Sequence, residues 1–197
     1  MKEKGKSTKV DLMQGVTYSH FLLNRHIAEG DTVIDATAGN GKDTVFLAEL
    51  VGNKGRVYAF DIQKIAITHT RELLEDKKLA GRVKLIQESH ENMINCIDAK
   101  EVEGIIFNLG FLPGGSKDII TKTDTTLSAL KDGLKILSDG GLIVIVIYTE
   151  HPGGREEKEA ILDFCKELNY KKYNVLRYNF INQQSSPAQV LAIKKRL

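Results

Sequence analysis

Apolar and polar positions along the chain fall into two alternating kinds of segment. Short runs such as Ile105-Ile106-Phe107 and 142–147 have no polar face, which is typical of strands covered by helices on both sides. The longer segments between them carry apolar residues at helical spacing, as at Phe21, Leu22 and Ile27. The pattern predicts strands at 32–36, 56–61, 83–87, 104–109, 142–148, 173–181 and 188–194, and helices at 17–28, 42–51, 63–80, 90–99, 122–138 and 154–168.

The order of these segments predicts an α/β fold of the Rossmann-like type. Strands that are joined through helices are expected to run parallel. The last two strands are joined only by a short polar loop at 182–187, so they are expected to pair antiparallel. The expected architecture is a seven-stranded, mostly parallel sheet with one antiparallel strand near the C-terminus and helices on both faces. Class I methyltransferases have this arrangement, and dehydrogenases do not.

The size, charge and cysteine content of the chain restrict its class. Its 197 residues suffice for a single domain, 1–197, with a lysine-rich flexible tail at 1–11. A net charge of +2 argues against a surface that coats a long polyanion but permits a local basic patch. Cys96 and Cys165 are too few for a metal site or disulfide framework, which predicts a reducing, cytoplasmic location and no bound metal. No apolar run is long enough to cross a bilayer, so no membrane association is expected.

The segment from Asp35 to Thr44 predicts a nucleotide-binding turn between the first strand and its helix. Gly39 and Gly41 allow a sharp turn and a close approach of ligand to the main chain. Asp61 ends the second strand about twenty residues later, where a carboxylate accepts hydrogen bonds from ribose hydroxyls. The alternative is a tight connection with no ligand, which the presence of Asp61 disfavours.

The acidic residues of this turn indicate which nucleotide it binds. A pyrophosphate needs a helix N-terminus free of negative charge, whereas Asp35 and Asp43 would repel it. Thr44 also stands where a dinucleotide motif has its third glycine. S-adenosylmethionine has a ribose, no phosphate and a cationic end, and Asp35 is expected to hold its ammonium group directly or through water. The predicted cofactor-binding residues are Asp35, Ala36, Thr37, Gly39, Asn40, Gly41, Asp43, Thr44, Asp61, Ile62, Gln63, Ser89, His90 and Asn108.

The loop after the fourth strand indicates the reaction. Enzymes that methylate exocyclic amines often carry Asn or Asp, two prolines and an aromatic residue here. Asn108-x-x-Phe111 keeps both ends of that pattern, and the Asn oxygen would accept an N–H of the amine and direct its lone pair at the methyl group. These loops contain no cysteine for covalent attack on a pyrimidine. A nitrogen acceptor is therefore predicted, with transfer depending on positioning.

An alkyl amine must lose a proton before it attacks, so a proton acceptor is expected. His20, His90 and His151 are candidates because imidazole titrates in the right range, although each can instead be a structural residue. Water is the alternative acceptor. Ser89 can bind the adenine edge with His90, or it can cap a helix. His26 and His69 are expected on helix surfaces, and the predicted catalytic residues are Asn108, Phe111, His20, His151 and Tyr148.

Four stretches of the sequence resemble a known family. They are Asp35 to Thr44, Phe60-Asp61-Ile62-Gln63, Phe107 to Gly115, and Tyr148-x-x-His151-x-Gly153-Gly154. They resemble the small bacterial "putative rRNA methylase" family from about His20 to the C-terminus, and the run Asn-Leu-Gly-aromatic-Leu-Pro-Gly-Gly is specific to it. The resemblance implies S-adenosylmethionine-dependent methylation of the aminomethyl nitrogen of 5-aminomethyl-(2-thio)uridine at the tRNA wobble position. It also implies a cytoplasmic homodimer.

The sequence departs from the pattern of that family in three places. Ser116 stands where the family usually has Asp, Glu150 where it has Gly, and Ser186-Pro187-Ala188 where an Asn-Pro-Pro run is common. Glu150 adds a carboxylate beside the expected acceptor site, where it can bind an ammonium group, act as a base or simply be exposed. The departures leave the predicted cofactor unchanged and concern only the acceptor.

The expected RNA partner is an anticodon stem-loop whose wobble base is turned out into a pocket. Phe111 and Tyr148 are predicted to stack on that base. Phosphate contacts are expected from Lys117, Lys122, Arg155, Lys158 and the polar loop at 182–186, unless these residues form an ordinary solvated surface.

Three other functions fit parts of the pattern. Methylation of ribosomal RNA follows the older family label, and methylation of a small-molecule amine keeps the same fold and chemistry. A non-catalytic adenosine-binding module is disfavoured because the loops after the fourth and fifth strands carry more polar chemistry than cofactor retention needs.

Overall fold

A computed structural model of the chain describes residues 12–115, 119–183 and 188–197. The predicted tail at 1–11, Ser116, Lys117 and the segment 184–187 of the polar loop lie outside the described residues. The prediction of a single domain over 1–197 includes these segments and stays a prediction.

Seven strands of the described chain form one mixed sheet. They are β1 (Thr32–Asp35), β2 (Arg56–Phe60), β3 (Val83–Ile86), β4 (Val102–Leu109), β5 (Leu137–Ile147), β6 (Tyr173–Tyr178) and β7 (Gln189–Lys195). Their order across the sheet is β3-β2-β1-β4-β5-β7-β6. β7 pairs antiparallel with both β5 and β6, and the other neighbouring pairs are parallel. The antiparallel strand therefore lies near the C-terminus, as predicted.

The described ranges contain six α-helices. They are α1 (Gly15–Asn24), α2 (Lys42–Val51), α3 (Lys64–Asp76), α4 (Met93–Cys96), α5 (Thr123–Ile136) and α6 (Gly154–Lys166). Within these ranges, none of the helices combines the length and the apolar character that crossing a membrane requires.

Each face of the sheet carries its own apolar core. Val33 and Ile34 are neighbours on β1 and point to opposite faces, and both are fully buried. On β4, the neighbours Ile105 and Ile106 are likewise fully buried on opposite faces of the sheet. Residues of α4, α5 and α6 complete one core, and residues of α1, α2 and α3 complete the other. This double coverage explains why the central strands have no polar face.

The first helix is shorter at its C-terminal end than the pattern predicts. It ends at Asn24 instead of residue 28. The backbone N–H of Ala28 donates to the Asp31 carboxylate at 2.8 Å, and Gly30 completes the turn with a φ of +99°. Ile27 is therefore buried through this turn and not through a helical face.

His26 lies in the same turn, and the prediction that it is a helix-surface residue is wrong. Its Nε2 is 2.9 Å from the carbonyl oxygen of Glu103, and its Nδ1 is 3.0 Å from Nζ of Lys194. Burial is the main reason that the pKa of His26 is lowered. His69 is exposed on α3, as predicted.

Two other elements differ from the predicted segments. The predicted helix at 90–99 is a 3₁₀ turn, His90–Asn92, followed by the single turn α4. β5 begins at residue 137 instead of 142, because Leu137 pairs with Val102 before the register shifts between Val102 and Gly104. Gly140, with a φ of +76°, lies in the stretch that takes up the shift. The remaining ends differ by at most a few residues.

Candidate active site

A large cleft lies where the five parallel strands β1 to β5 end. Parallel strands carry their carboxyl ends to one edge of the sheet, so the loops that follow them meet there. The cleft has a volume of about 800 Å³, within the range of small-molecule sites. The predicted residues that line it are Ala36, Thr37, Gly39, Asn40, Asp43, Asp61, Ile62, Gln63, Ser89, His90, Asn108, Phe111, His20, His151, Tyr148 and Glu150.

The carboxylate of Asp61 closes the glycine turn. Its Oδ2 accepts the N–H of Gly39 at 2.9 Å, and its Oδ1 accepts the N–H of Gln63 at 2.8 Å. Gly39 and Gly41 have φ values of +53° and +79°, which favour glycine. Burial raises the pKa of Asp61. Each carboxylate oxygen has a further lone pair, so Asp61 can also accept bonds from ribose hydroxyls.

Asp35, which was predicted to hold the ammonium group directly or through water, does not line the cleft. Its side chain is fully buried, and its oxygens accept the N–H of Thr37 at 3.1 Å and the hydroxyl of Thr44 at 2.6 Å. Asp35, Gly41 and Thr44 are all absent from the cleft lining. Burial, reinforced by the charge of Asp43, raises the pKa of Asp35 to about 7. Asp35 and Thr44 therefore stabilise the glycine turn from its buried side.

We expect Asp35→Asn to change how stability depends on pH. The folded protein holds a proton on Asp35 up to about pH 7, whereas the unfolded chain releases it near pH 4. The free energy of unfolding of the wild type should fall relative to the variant as pH rises from 4 to 7, by at most about 1.4 kcal/mol per pH unit. Urea unfolding at several pH values measures this difference. Parallel curves for the two proteins across that range would contradict the assignment.

His90 follows β3 and is a buried part of the cleft lining. Its Nδ1 is 3.1 Å from the carbonyl oxygen of Ala36, so Nδ1 carries the proton and Nε2 is left as an acceptor. Nε2 is buried and has no partner among the described residues. Burial lowers the pKa of His90. The placement suits acceptance of a ligand N–H, such as the amino group of adenine, better than proton exchange with water.

Ser89 precedes His90 at the start of the 3₁₀ turn, but its side chain makes no capping hydrogen bond. Its backbone N–H donates to Glu88 Oε1 at 2.8 Å. Ser89 is therefore the N-cap residue of this turn, as the alternative expected, but without a side-chain capping bond, and it also lines the cleft.

Asp43 joins two of the predicted catalytic residues. Its Oδ1 is 2.7 Å from Nε2 of His20, and its Oδ2 accepts the side-chain N–H of Asn108 at 3.0 Å. The ring of His20 stacks on Phe46 with the ring centroids 4.0 Å apart. The backbone N–H of Asn108 donates to the hydroxyl of Thr37 at 2.7 Å. His20, Asp43 and Asn108 therefore form one hydrogen-bonded group at the cleft, which we call the cleft triad.

A second wall of the cleft comes from the loops after β4 and β5. Gly110, with a φ of +139°, lies against both rings of the second loop, because a Cβ at this position would be 3.9 Å from Tyr148 and from His151. Phe111 and Tyr148 are 41% and 37% exposed, so each presents an aromatic surface to solvent. Burial, and then the charge of Asp43, raise the pKa of Tyr148.

The Nε2 atom of His151 is buried without a partner among the described residues. The Nδ1 atom lies 3.1 Å from the carbonyl oxygen of Pro152. The ring lies over the backbone of Gly154, where a Cβ would be 2.8 Å from Nε2. His151 therefore lines the cleft with its Nε2 atom buried, whereas the side chain of His20 is 29% exposed.

The basic residues predicted to contact RNA differ in their availability. Lys122 lines the cleft, and Arg155 is exposed beside it. Lys158 instead forms an ion pair with Glu159 at 2.8 Å, and only 19% of its side chain is exposed. Lys42, which was not among the predicted RNA contacts, is exposed at the edge of the cleft.

Several residues that shape the site were missed from the sequence. The hydroxyl of Thr70 on α3 donates to the carbonyl oxygen of Gly39 at 3.1 Å and supports the glycine turn. Asn40 was itself predicted, but its side-chain hydrogen bond to the carbonyl oxygen of Pro113 at 3.1 Å, which joins this turn to the loop after β4, was not. Glu157 is buried in the first turn of α6. Its spacing from Ile161 and Cys165, on the apolar stripe of that helix, was a signal available in the sequence.

The residues of the cleft fit S-adenosylmethionine. Asp61 provides acceptors for a ribose, and the unpartnered Nε2 of His90 provides one for an adenine amino group. The carboxylates that line the cleft, Asp43, Asp61, Glu88, Glu91 and Glu150, exceed the lysines, Lys42 and Lys122. This balance favours a cationic ligand over a phosphate.

A model of the family described as "Putative rRNA methylase" matches residues 57–194. The chain belongs to this family. The matched region runs from the second residue of β2 to the last but one of β7, and it includes the loops that carry Asp61, Asn108 and His151. The predicted family and the methyltransferase class are therefore confirmed.

Similar proteins agree with this membership. A "tRNA (mnm(5)s(2)U34)-methyltransferase, chloroplastic" of Arabidopsis thaliana is 42% identical over 186 residues, which are 90% of this chain and 68% of the plant protein. A "putative rRNA-methylase" from Clostridium thermocellum is 45% identical with a TM-score of 0.92, covering 94% of this chain and 100% of that structure. A "putative methyltransferase" from Streptococcus mutans in complex with SAH is 39% identical with a TM-score of 0.85, covering 94% and 99%. The predicted fold class is confirmed.

Proposed function

We propose that this methyltransferase transfers a methyl group from S-adenosylmethionine to the aminomethyl nitrogen of a modified wobble uridine in tRNA. The cleft triad carries the proposal, because it presents an oriented amide and an imidazole side by side. The plant relative is named for a tRNA wobble-uridine methyltransferase activity. The streptococcal relative was solved with SAH, and the predicted cofactor is confirmed.

The amide of Asn108 is oriented by Asp43. A carboxylate accepts only from the NH₂ end of an amide, so the Nδ2 of Asn108 is fixed toward Asp43. The oxygen Oδ1 is thereby left free to accept an N–H of the substrate amine. Acceptance of that bond directs the nitrogen lone pair away from Asn108. The side chain thus positions the amine and supplies no electrons to the reaction.

His20 is the proton acceptor in this proposal. When bound, S-adenosylmethionine supplies an electrophilic methyl group on its sulfonium sulfur. The amine nitrogen gains a bond to this carbon as the carbon–sulfur bond breaks, the electron pair of that bond leaves with the sulfur of SAH, and the nitrogen loses one proton. With the Nε2–H of His20 donated to Asp43, Nδ1 is the basic nitrogen of the ring. The exposed part of the ring can release the proton to water.

The exposed aromatic residues support a nucleoside acceptor. Phe111 and Tyr148 line the cleft, so a base turned out of an anticodon loop can stack there. Lys42, Lys122 and Arg155 lie at or beside the opening, where phosphate groups of the loop would pass. Binding of an anticodon stem-loop should therefore weaken steeply with salt, whereas binding of a small amine should not.

Mass spectrometry of nucleosides from cells that lack the gene tests the proposal. We expect tRNA to accumulate an aminomethyl-uridine without its methyl group, and ribosomal RNA nucleosides to be unchanged. Loss of a methylated nucleoside from ribosomal RNA with normal tRNA would favour the ribosomal substrate that the family name states. Normal nucleosides in both RNAs would contradict an RNA substrate.

We also propose a cytoplasmic location and a homodimer. Among the described residues both cysteines, Cys96 and Cys165, are free thiols, which suits a reducing compartment. On the edge strand β6, Val175 is 40% exposed on one face of the sheet and Leu176 is 45% exposed on the other, so a second copy that covered this edge would bury both. Light scattering of the purified protein measures the oligomeric state.

A further inference from the structure

Glu157 is a buried carboxylate that the proposed mechanism does not use. Its residue is 1% exposed, and it lies in the first turn of α6 on the side that carries Ile161. A charged group in such a place is costly unless its oxygens are hydrogen-bonded. Both oxygens are: Oε1 accepts the hydroxyl of Thr126 at 2.6 Å, and Oε2 accepts the hydroxyl of Thr121 at 2.9 Å.

The hydrogen bonds that lead to Glu157 form a chain in which each group donates to the next one along. The backbone N–H of Gly110 donates to the hydroxyl oxygen of Thr121 at 3.0 Å. Because the hydroxyl oxygen accepts this bond, the hydroxyl proton is available to donate to Oε2 of Glu157. The chain therefore runs from Gly110 through Thr121 and ends on a group that only accepts. A carboxylate meets this requirement at both of its oxygens, whereas a side-chain amide meets it at one.

This chain joins the two loops that carry the acceptor side of the cleft. Gly110 lies between Asn108 and Phe111, and its carbonyl oxygen also accepts the N–H of Thr121 at 2.9 Å. Phe111 pairs with Ile120 as an isolated antiparallel bridge. The other end of the chain is on α6, which begins directly after the loop of Tyr148 and His151.

We propose that Glu157 is a positioning residue for the methyl acceptor. The inference rests on the proposed function and deepens it. Glu157 does not line the cleft and acts through Thr121 on the loop that holds Asn108 and Phe111. Asp61 and the two N–H groups that it accepts are not part of the chain, so we expect the affinity for SAH to change much less than the kinetics of the acceptor.

The test is Glu157→Gln with a matched control, Glu156→Gln, which removes the same charge from an exposed neighbour. Glu157→Gln keeps the volume but places an NH₂ group against a hydroxyl that must donate. We expect kcat/KM for an anticodon stem-loop carrying 5-aminomethyl-2-thiouridine to fall at least tenfold, with the Kd for SAH within twofold of wild type. Wild-type acceptor kinetics, or an equal loss of SAH affinity, would overturn the proposal.

Substitutions of Thr121 separate positioning from folding. Thr121→Ser keeps the hydroxyl and should retain nearly wild-type kcat/KM, whereas Thr121→Val removes it and should match Glu157→Gln. Equal activity of the two variants would contradict the chain. Circular dichroism melting of each variant identifies any that is unfolded at the assay temperature.

Hydrogen exchange at the backbone amide of Gly110 provides a readout that needs no substrate. The amide should be protected in wild type and in Glu156→Gln, and should exchange faster in Thr121→Val and Glu157→Gln. Unchanged protection would overturn the proposal. A wild-type enzyme that ignores the modified stem-loop but shows this exchange pattern would contradict the proposed substrate and leave the chain from Gly110 to Glu157 supported.

Discussion

Asn108→Ala should reduce kcat by about 10²–10³-fold, the usual cost of losing one oriented hydrogen bond to a reacting group. The variant cannot accept the N–H of the amine, so the lone pair is no longer directed at the methyl group. The affinity for SAH should change much less, because His90 and Asp61 are untouched. Single-turnover methylation and calorimetry measure the two quantities.

Asn24→Ala is the matched control for this variant. Asn24 is exposed at the end of α1, and the same truncation there should leave both quantities unchanged. If Asn108→Ala keeps the wild-type kcat and raises only KM, Asn108 binds the acceptor without orienting it.

Asp61→Ala should weaken binding of SAH by about 100-fold or more. Hydrogen bonds to a charged acceptor contribute about 1.5–3 kcal/mol each, and a ribose offers two hydroxyls. The variant also releases the N–H groups of Gly39 and Gln63, which the carboxylate now holds. Isothermal titration calorimetry measures the change. Asp76→Ala, on the exposed end of α3, is the control.

A cofactor analogue separates the two effects of Asp61→Ala. SAH without its ribose hydroxyls should bind to the wild type more weakly than SAH does. The variant should bind the two compounds with the same low affinity. If the wild type binds the two compounds alike, the carboxylate only supports the glycine turn. Unchanged affinity of the variant for SAH would contradict both roles.

The β1-α2-β2 unit could be predicted because its signals are local. An apolar run, a glycine turn and the carboxylate of Asp61 occur within thirty residues of sequence, and together they favour a nucleotide-binding turn. The antiparallel pairing of β7 was also predictable, because the loop before it is too short to contain a crossover helix.

The end of α1 could not be predicted, because distant residues determine it. Ile27 fits the apolar stripe of a helix in the sequence, yet it is buried through a turn. His26 in that turn contacts Glu103 and Lys194, which lie 77 and 168 residues away. A pattern within one segment contains no information about such partners.

The different roles of the two carboxylates near the glycine turn could not be predicted from the sequence either. Asp35 and Asp43 lie eight positions apart, and both were expected to face the ligand. The strand buries Asp35 beneath the turn, whereas the first turn of α2 brings Asp43 to the cleft. The sequence did indicate His20 and Asn108 separately, but not that Asp43 joins them.

Transfer of a labelled methyl group tests the central claim most directly. Purified protein is incubated with methyl-labelled S-adenosylmethionine and an anticodon stem-loop that carries 5-aminomethyl-2-thiouridine, or with the same stem-loop carrying unmodified uridine. We predict label on the aminomethyl nitrogen of the first RNA and none on the second. Label on a ring atom or a ribose, or equal labelling of both RNAs, would contradict an amine acceptor held by Asn108.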